Sequence, residues 1–330
     1  MRVRSLLYIL LAAALILFPQ LKNQYILNLG IQVLIFALFA TSFNLLLGYT
    51  GMLSFGHAMF FGFGAYGIAL LLEKTSLHFG LALLSTLGVT VLFSLVIGFF
   101  CVRLGGAYFA MLTLAFSQLI FAIAFKWREL TGGDDGMPAH VAKGQSFLPG
   151  LGLDISDPIN YYYFTLLVVA ASVFIIRNIV NSRFGLTIQA IRENQERTAF
   201  LGLNPFVIRW IIFIISGFFG SLSGALFAPF KGFISPDVLS LGISGEALYI
   251  TLIGGMSSFL GPFLGAIIMI FMTNLLSSFT RYWLIVVGCV FVTFVLLIPQ
   301  GIMGIVIREE GQGGSLAKEI RKWTSLRFKA

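Results

Sequence analysis

Charge is scarce in this sequence, and one stretch gathers it: Arg183 to Pro205, RFGLTIQAIRENQERTAFLGLNP. Long apolar runs lie on both sides. Within it Arg183, Arg192, Glu193, Glu196 and Arg197 appear, while Phe184, Ile188 and Ile191 recur at helical spacing. Such a pattern predicts one short amphipathic helix between two membrane spans. Glu193 and Arg197 stand four apart with the acid first, the better order for a helical ion pair, and Arg192 with Glu196 makes a second pair in the poorer order. Gly202 and Pro205 are expected to end the helix. Its chemistry would be recognition rather than bond-making: a stiff cytoplasmic element that docks on a partner, or else a solvated loop helix.

Elsewhere the candidates for chemistry are isolated. His57 lies in an apolar run, where an ionisable group is either functional or a neutral imidazole hydrogen-bonded between helices. A membrane-embedded enzyme would need His, Asp or Glu clustered at one depth, and His57 stands alone. An ion-coupled secondary transporter or channel would need carboxylates deep in the membrane, and only Glu246 comes near a span. No GxxxxGK[ST] phosphate loop occurs, so the chain has no such means of binding ATP. Cys101 and Cys289 both lie in apolar runs, so neither a disulfide nor a metal site is inferred.

These residues must be held by a membrane bundle. Of 330 residues, 58% are hydrophobic and 10% charged, with 36 glycines; the mean hydropathy is +0.97. That composition gives an all-α polytopic membrane protein. The net charge of +8 reports orientation before it reports any nucleic-acid partner. Ten apolar runs fit a ladder with both ends inside: Leu6 to Phe18 (a retained span, or a signal peptide lacking a good cleavage site), Tyr25 to Leu47, Met52 to Leu72, Phe79 to Val102, Gly105 to Phe125, Asn160 to Ile176, Phe206 to Phe230, Leu241 to Ser258, Phe259 to Ser278 and Tyr282 to Ile298. Seven of the 21 Lys and Arg fall outside, namely Lys22, Lys74, Lys126, Arg128, Lys143, Lys231 and Arg281, and fourteen fall inside, in the positive-inside direction. Eight or nine spans also fit, because two Gly-rich stretches could be re-entrant. The permease domain is thus expected over 1–307, with an outer loop at 126–158. A basic cytoplasmic tail follows at 308–330, either a surface helix or disordered.

The third run, MLSFGHAMFFGFGAYGIALLL, carries Gly56, Gly62, Gly64 and Gly67. Glycine costs about 1 kcal/mol against alanine inside a helix, so this density implies close backbone approach or a helix broken at membrane depth. Gly106, Thr113 and Ser117 share one helix face. Gly51-Met52-Leu53-Ser54-Phe55 has a partner in Gly255-Met256-Ser257-Ser258-Phe259, each followed by a Gly-rich apolar run. The match arises either by chance or from a two-half internal repeat, and in the second case paired interrupted spans point to a central pathway.

Several stretches resemble one family. Asn44 through Ala58, NLLLGYTGMLSFGHA, is similar to the opening signature of branched-chain amino-acid ABC permeases. Gly106 through Ala115, Leu130 through Gly136, Phe184-Gly185-Leu186 with Ala190 through Asn194, and Gly254-Gly255-Met256 with Gly261-Pro262 resemble the LivM-type subunit, in order over about residues 30 to 305. The resemblance implies a subunit that is not itself an enzyme, in the bacterial cytoplasmic (inner) membrane. It would pair with a second, LivH-type permease. Two cytoplasmic ATPases, which bind ATP and Mg, would power the pair, and an external amino-acid-binding protein would supply it; the chain itself would hold no cofactor. Branched-chain amino acids are the implied cargo, with urea or other amides as the alternative within the family. The charged helix would then be the coupling helix, with Arg183, Gly185, Arg192, Glu193, Asn194, Glu196, Arg197 and Gly202 as its contacts. The importer pattern E-A-A, three residues, then G is met by Glu196-Arg197-Thr198 and Gly202, without the two alanines. Gly51, Ser54, Gly56, His57, Gly62, Gly64, Thr113 and Ser117 become candidates for the pathway, and Thr131, Gly132, Gly133, Asp134 and Asp135 mark the external loop.

The ladder makes a direct prediction. A reporter fused after Lys318 will be cytoplasmic, and one inserted near Asp135 external. Both reporters on one side would refute the ten-span arrangement.

Overall fold

A computed structural model describes residues 19, 23–75, 77–141, 155–256, 258–298 and 301–304. The run Leu6 to Phe18, loop residues 142–154, Ser257 and the tail at 308–330 lie outside the described residues. The rest is almost entirely helical. Helix α1 spans Gln24–Asn44, α2 Ala58–Lys74, α3 Phe79–Cys101, α4 Gly106–Lys126 and α5 Pro158–Asn181. Two short helices follow, α6 at Arg183–Glu193 and α7 at Gln195–Phe200. Then come α8 at Pro205–Lys231, α9 at Leu241–Gly254, α10 at Gly261–Phe279 and α11 at Trp283–Leu297.

Among the described residues seven helices are long and apolar enough to cross a membrane: α1, α3, α4, α5, α8, α10 and the one beginning at Trp283. The two Gly-rich stretches give shorter helices. At 1.5 Å per residue, α2 with 17 residues and α9 with 14 reach only about 25 and 21 Å, short of the roughly 30 Å of hydrocarbon. Both are extended by irregular backbone instead. Helix α1 widens into a π-helical turn at Leu45–Tyr49, and Gly51 then takes a left-handed φ of 71°. Helix α9 ends the same way, with Gly255 at φ 108°. The two segments matched in the sequence are therefore both breaks after a helix end, each followed by a new helix. They also meet: a Cβ on Gly48 would lie 2.6 Å from the Met256 carbonyl oxygen.

Helices α1 and α8 lie at the centre, with 72% and 78% of the residues in their most apolar stretches buried, against 28% in α4, α5 and α10. Helix α2 crosses α8 at backbone contact. A Cβ on Gly64 would come within 1.9 Å of the Ser221 carbonyl oxygen, and one on Gly224 within 1.8 Å of that of Phe61. Each helix thus presents a glycine to the other's backbone, the arrangement by which helices pack tightly where lipid offers no hydrophobic drive. Gly56 meets the Thr113 carbonyl of α4 in the same way, at 1.9 Å, and Gly62 the Leu239 side chain at 2.2 Å. Rings of Phe36, Phe39, Phe61 and Phe227 fill the space beside this crossing, with centroids 4.8 to 5.9 Å apart.

The described part of the loop after α4 is built of short turns. A one-turn helix at Arg128–Thr131 leads into a 3₁₀ turn at Gly133–Asp135. Thr131, which is buried, donates its hydroxyl to the Ala124 and Trp127 carbonyls at 2.6 and 2.7 Å. Gly132 and Gly133 adopt φ of 77° and 66°, while Asp134 and Asp135 are exposed. Strand β1, Met137–Pro138, then pairs antiparallel with β2, Phe233–Ile234.

The glycine crossing predicts the effect of bulk. Gly56→Leu and Gly62→Leu will each lower the yield of assembled protein and its Tm, since overpacking a tight contact costs about 1–3 kcal/mol or more. Gly88→Leu on α3, where nothing lies within 4 Å of an added Cβ, will leave both unchanged. Size-exclusion profiles and thermal melts of the three variants check this.

Candidate coupling site

The charged stretch folds as two helices, not one. Ser182 caps α6, its hydroxyl accepting from the Gly185 N–H at 3.4 Å. Helix α6 stops at Asn194, whose backbone is extended (φ −157°, ψ 107°) and whose Oδ1 accepts from the Arg197 N–H at 2.9 Å. Asn194 is thus the N-cap of α7, a role its short polar side chain fills well. The expected pairs Glu193–Arg197 and Arg192–Glu196 straddle this break, so their spacing of four does not bring them together on one helix. Gly202 does end α7, with φ 83°. Pro205 instead opens α8 behind the cap Asn204, whose Oδ1 accepts from the Phe206 and Val207 N–H groups at 3.1 and 3.4 Å; at this first position proline loses no hydrogen bond.

The apolar side of α6 is real. Ile188 and Ile191 are buried and Phe184 packs on the core beside them. Gly185 lies against the end of α5, where a Cβ would come within 1.9 Å of the Val180 carbonyl oxygen. Arg183, Glu193, Asn194, Glu196, Arg197 and Gly202 are all exposed.

Arg192 is exposed as well, but its side chain turns back to the end of α1. Its guanidinium donates to the carbonyl of Gly48, in the π-turn that ends α1, and its methylenes lie 3.3 Å from where a Cβ on Gly51 would sit. That carbonyl is available because the break diverts its natural donor: the Met52 N–H bonds to Leu46 O at 2.8 Å. A second arginine does similar work. Arg209, in α8, donates Nε–H to the Met52 sulfur at 3.1 Å and a terminal N–H to Gln195 Oε1 at 3.2 Å. So α6, α7 and the start of α8 all hold the first break. Gly48 belongs to the stretch Gly48-Tyr49-Thr50-Gly51 that breaks the second run in the sequence, whereas Gln195 and Arg209 were not singled out as site residues. Arg209 carried a signal, since an arginine in the second turn of an apolar span needs a partner.

One further feature was missed. Phe200 and Leu201, at the end of α7, are 90% and 78% exposed, and Leu186 on α6 is 65% exposed. These large apolar side chains project from the most polar segment of the chain.

The candidates for the pathway pack the interior of this chain, Gly51 excepted, which is exposed. His57 sits among the rings of Phe39, Phe43 and Phe60, at 5.2, 5.4 and 5.6 Å, and its Nε2 lies 2.9 Å from Ser42 Oγ. Ser42 gives its hydroxyl hydrogen to Phe39 O at 2.6 Å, so its oxygen accepts from His57 Nε2–H. Nδ1 is then the unprotonated nitrogen, without a partner. Thr113 donates to Ala110 O at 2.9 Å and Ser117 to Leu239 O at 3.4 Å, both buried. Ser54 is buried, and its hydroxyl is unpartnered. Gly56, Gly62 and Gly64 are the helix contacts described above.

The chain is 28% identical over 322 residues to the high-affinity branched-chain amino acid transport system permease protein LivM of Escherichia coli, a match covering 91% of this chain and 75% of the relative. It is 28% identical over 303 residues to LivM of Salmonella typhimurium, covering 86% and 71%. LivH of Escherichia coli matches at 26% over 125 residues, 37% of this chain and 40% of the relative. No solved structure matches. Residues 25–295 match the family described as "Branched-chain amino acid transport system / permease component", and the chain belongs to that family.

Proposed function

We propose that this chain is one of two permease subunits of an ATP-driven importer of branched-chain amino acids in the bacterial inner membrane, with both termini cytoplasmic. The partner is a LivH-type permease, and an external binding protein delivers the cargo. Two cytoplasmic ATPases, which bind ATP and Mg, dock on α6 and α7. The observation that carries this reading is the exposed Phe200, Leu201 and Leu186 on a segment whose other face grips the membrane bundle. A docking helix needs both features, an apolar outer surface for the partner and a rigid inner attachment. Closure of the ATPases would then move α6 and α7 as a body and shift the first break with them.

Glu196→Ala and Gly202→Asp test this. Glu196 is exposed, and such a surface substitution changes stability by only about 0.5 kcal/mol or less. At Gly202 the left-handed φ of 83° resists a side chain in the turn itself. Both variants will reach the membrane at wild-type levels, and both will lose uptake, either with ATP hydrolysis uncoupled or with the ATPases released. Uptake, ATPase rate and ATPase retention measured in one reconstituted preparation decide it. Wild-type uptake and stimulated ATPase in both variants would make this segment a solvated loop.

A further inference from the structure

A cavity of about 210 Å³ opens between α1, α9, α10 and the start of α11. It lies away from the coupling site. Thr273 is 12 residues into α10 from Gly261, and Glu246 nine residues before Gly255, about 18 and 13 Å from the breaks at helical rise. The polar residues on its wall are Gln32, Glu246, Thr273, Asn274, Ser277 and, at the rim, Trp283. The remainder is apolar.

The hydrogen-bond accounting gives the wall its character. Thr273 spends its hydroxyl hydrogen on Ile270 O at 3.1 Å, Asn274 an amide hydrogen on the same carbonyl at 2.8 Å, and Ser277 its hydroxyl hydrogen on Asn274 O at 3.0 Å. What the two hydroxyls leave for the cavity is oxygen, and Asn274 keeps its side-chain carbonyl oxygen together with one amide hydrogen. Glu246 has no hydrogen-bonded partner among the described residues, and the ammonium of Lys231 lies over the Phe227 ring at 5.7 Å. A carboxylate in a membrane span calls for a partner. Gln32, Trp283 and the second amide hydrogen of Asn274 are the N–H donors of the wall.

We propose that this cavity is a binding site for a small zwitterion, with Glu246 and the oxygens of Thr273, Asn274 and Ser277 taking its ammonium group. An ammonium carries three donors and no acceptor, which complements a wall of acceptors around one negative charge. Gln32 and Trp283 take the carboxylate, and the apolar wall takes an aliphatic side chain. The volume is below the roughly 300–1,000 Å³ of drug-sized pockets, so only a small solute enters. This assignment rests on the import of amino acids proposed above and adds a selective site within the permease itself.

The test uses the purified four-subunit complex in nanodiscs, without the binding protein, and radiolabelled leucine in equilibrium dialysis. Leucine will bind the wild type. It will be displaced by 3-methylbutylamine, which keeps the ammonium, and not by 4-methylpentanoate, which lacks it. Glu246→Gln will weaken binding about tenfold or more, the effect of losing one charged hydrogen bond, and Glu246→Asp will restore part of it. Ser277→Leu, at an exposed position, will block the cavity and carries the test if Glu246→Gln fails to assemble. No leucine binding by the wild type, or wild-type binding by both Glu246→Gln and Ser277→Leu, would overturn the site. So would displacement by ethanolamine as strong as by leucine, which would mark a lipid headgroup site, or by sodium chloride, which would mark an inorganic cation site. Uptake by the complete importer separates the two readings. Normal leucine uptake by Glu246→Gln leaves the importer standing and removes the site, whereas no uptake of any branched-chain amino acid by the wild type removes the importer reading.

Discussion

Backbone that leaves a helix frees polar groups that must find new hydrogen bonds. At the end of α1 one of these bonds comes from another element, α6. The π-turn at Leu45–Tyr49 and the left-handed Gly51 turn the chain out of its helix, and the carbonyl of Gly48 is taken up by Arg192 from α6. The second break contacts the first through Met256, so one arginine stands at the meeting point of both interrupted spans. Arg209 adds a second hold, joining Met52 to Gln195.

What lies beyond the break is rigid. Helix α2 begins a few residues later and is fixed by backbone contacts that admit no side chain, Gly56 on α4 and Gly64 with Gly224 across α8. His57, Ser42 and Ser216 tie the same helices by hydrogen bonds, Ser216 donating to Ser42 O at 2.6 Å. A displacement of α6 and α7 would therefore pass through Arg192 to the break at Gly48–Gly51 and on to the closely packed body after it.

Much of this was legible in the sequence, for identifiable reasons. Hydropathy placed the long spans because lipid forces their length and composition. The helical spacing of Phe184, Ile188 and Ile191 placed the inward side of α6, and Gly202 the turn after α7. Glycine density foretold close approach, but not to which carbonyl, because that depends on residues more than a hundred positions away, as between Gly64 and Ser221. The single coupling helix was an error of local competition. Charges at a spacing of four read as a continuous helix, while the Asn194 side chain captures the Arg197 amide and starts a new one. The role of Arg192 was read as a surface ion pair; its actual partner lies 144 residues earlier in the chain, and a backbone carbonyl carries no sequence signature. Phe200 and Leu201 looked like ordinary apolar residues, and only their exposure sets them apart.

The central claim is that α6 holds the first break through Arg192. Amide hydrogen exchange over residues 48–53 of the reconstituted complex tests it most directly, with and without trapped nucleotide, in wild type and Arg192→Gln. In the wild type, exchange over this segment will change on nucleotide trapping. In Arg192→Gln it will be faster in both states and will no longer respond to nucleotide. An unchanged nucleotide response in Arg192→Gln would contradict the account.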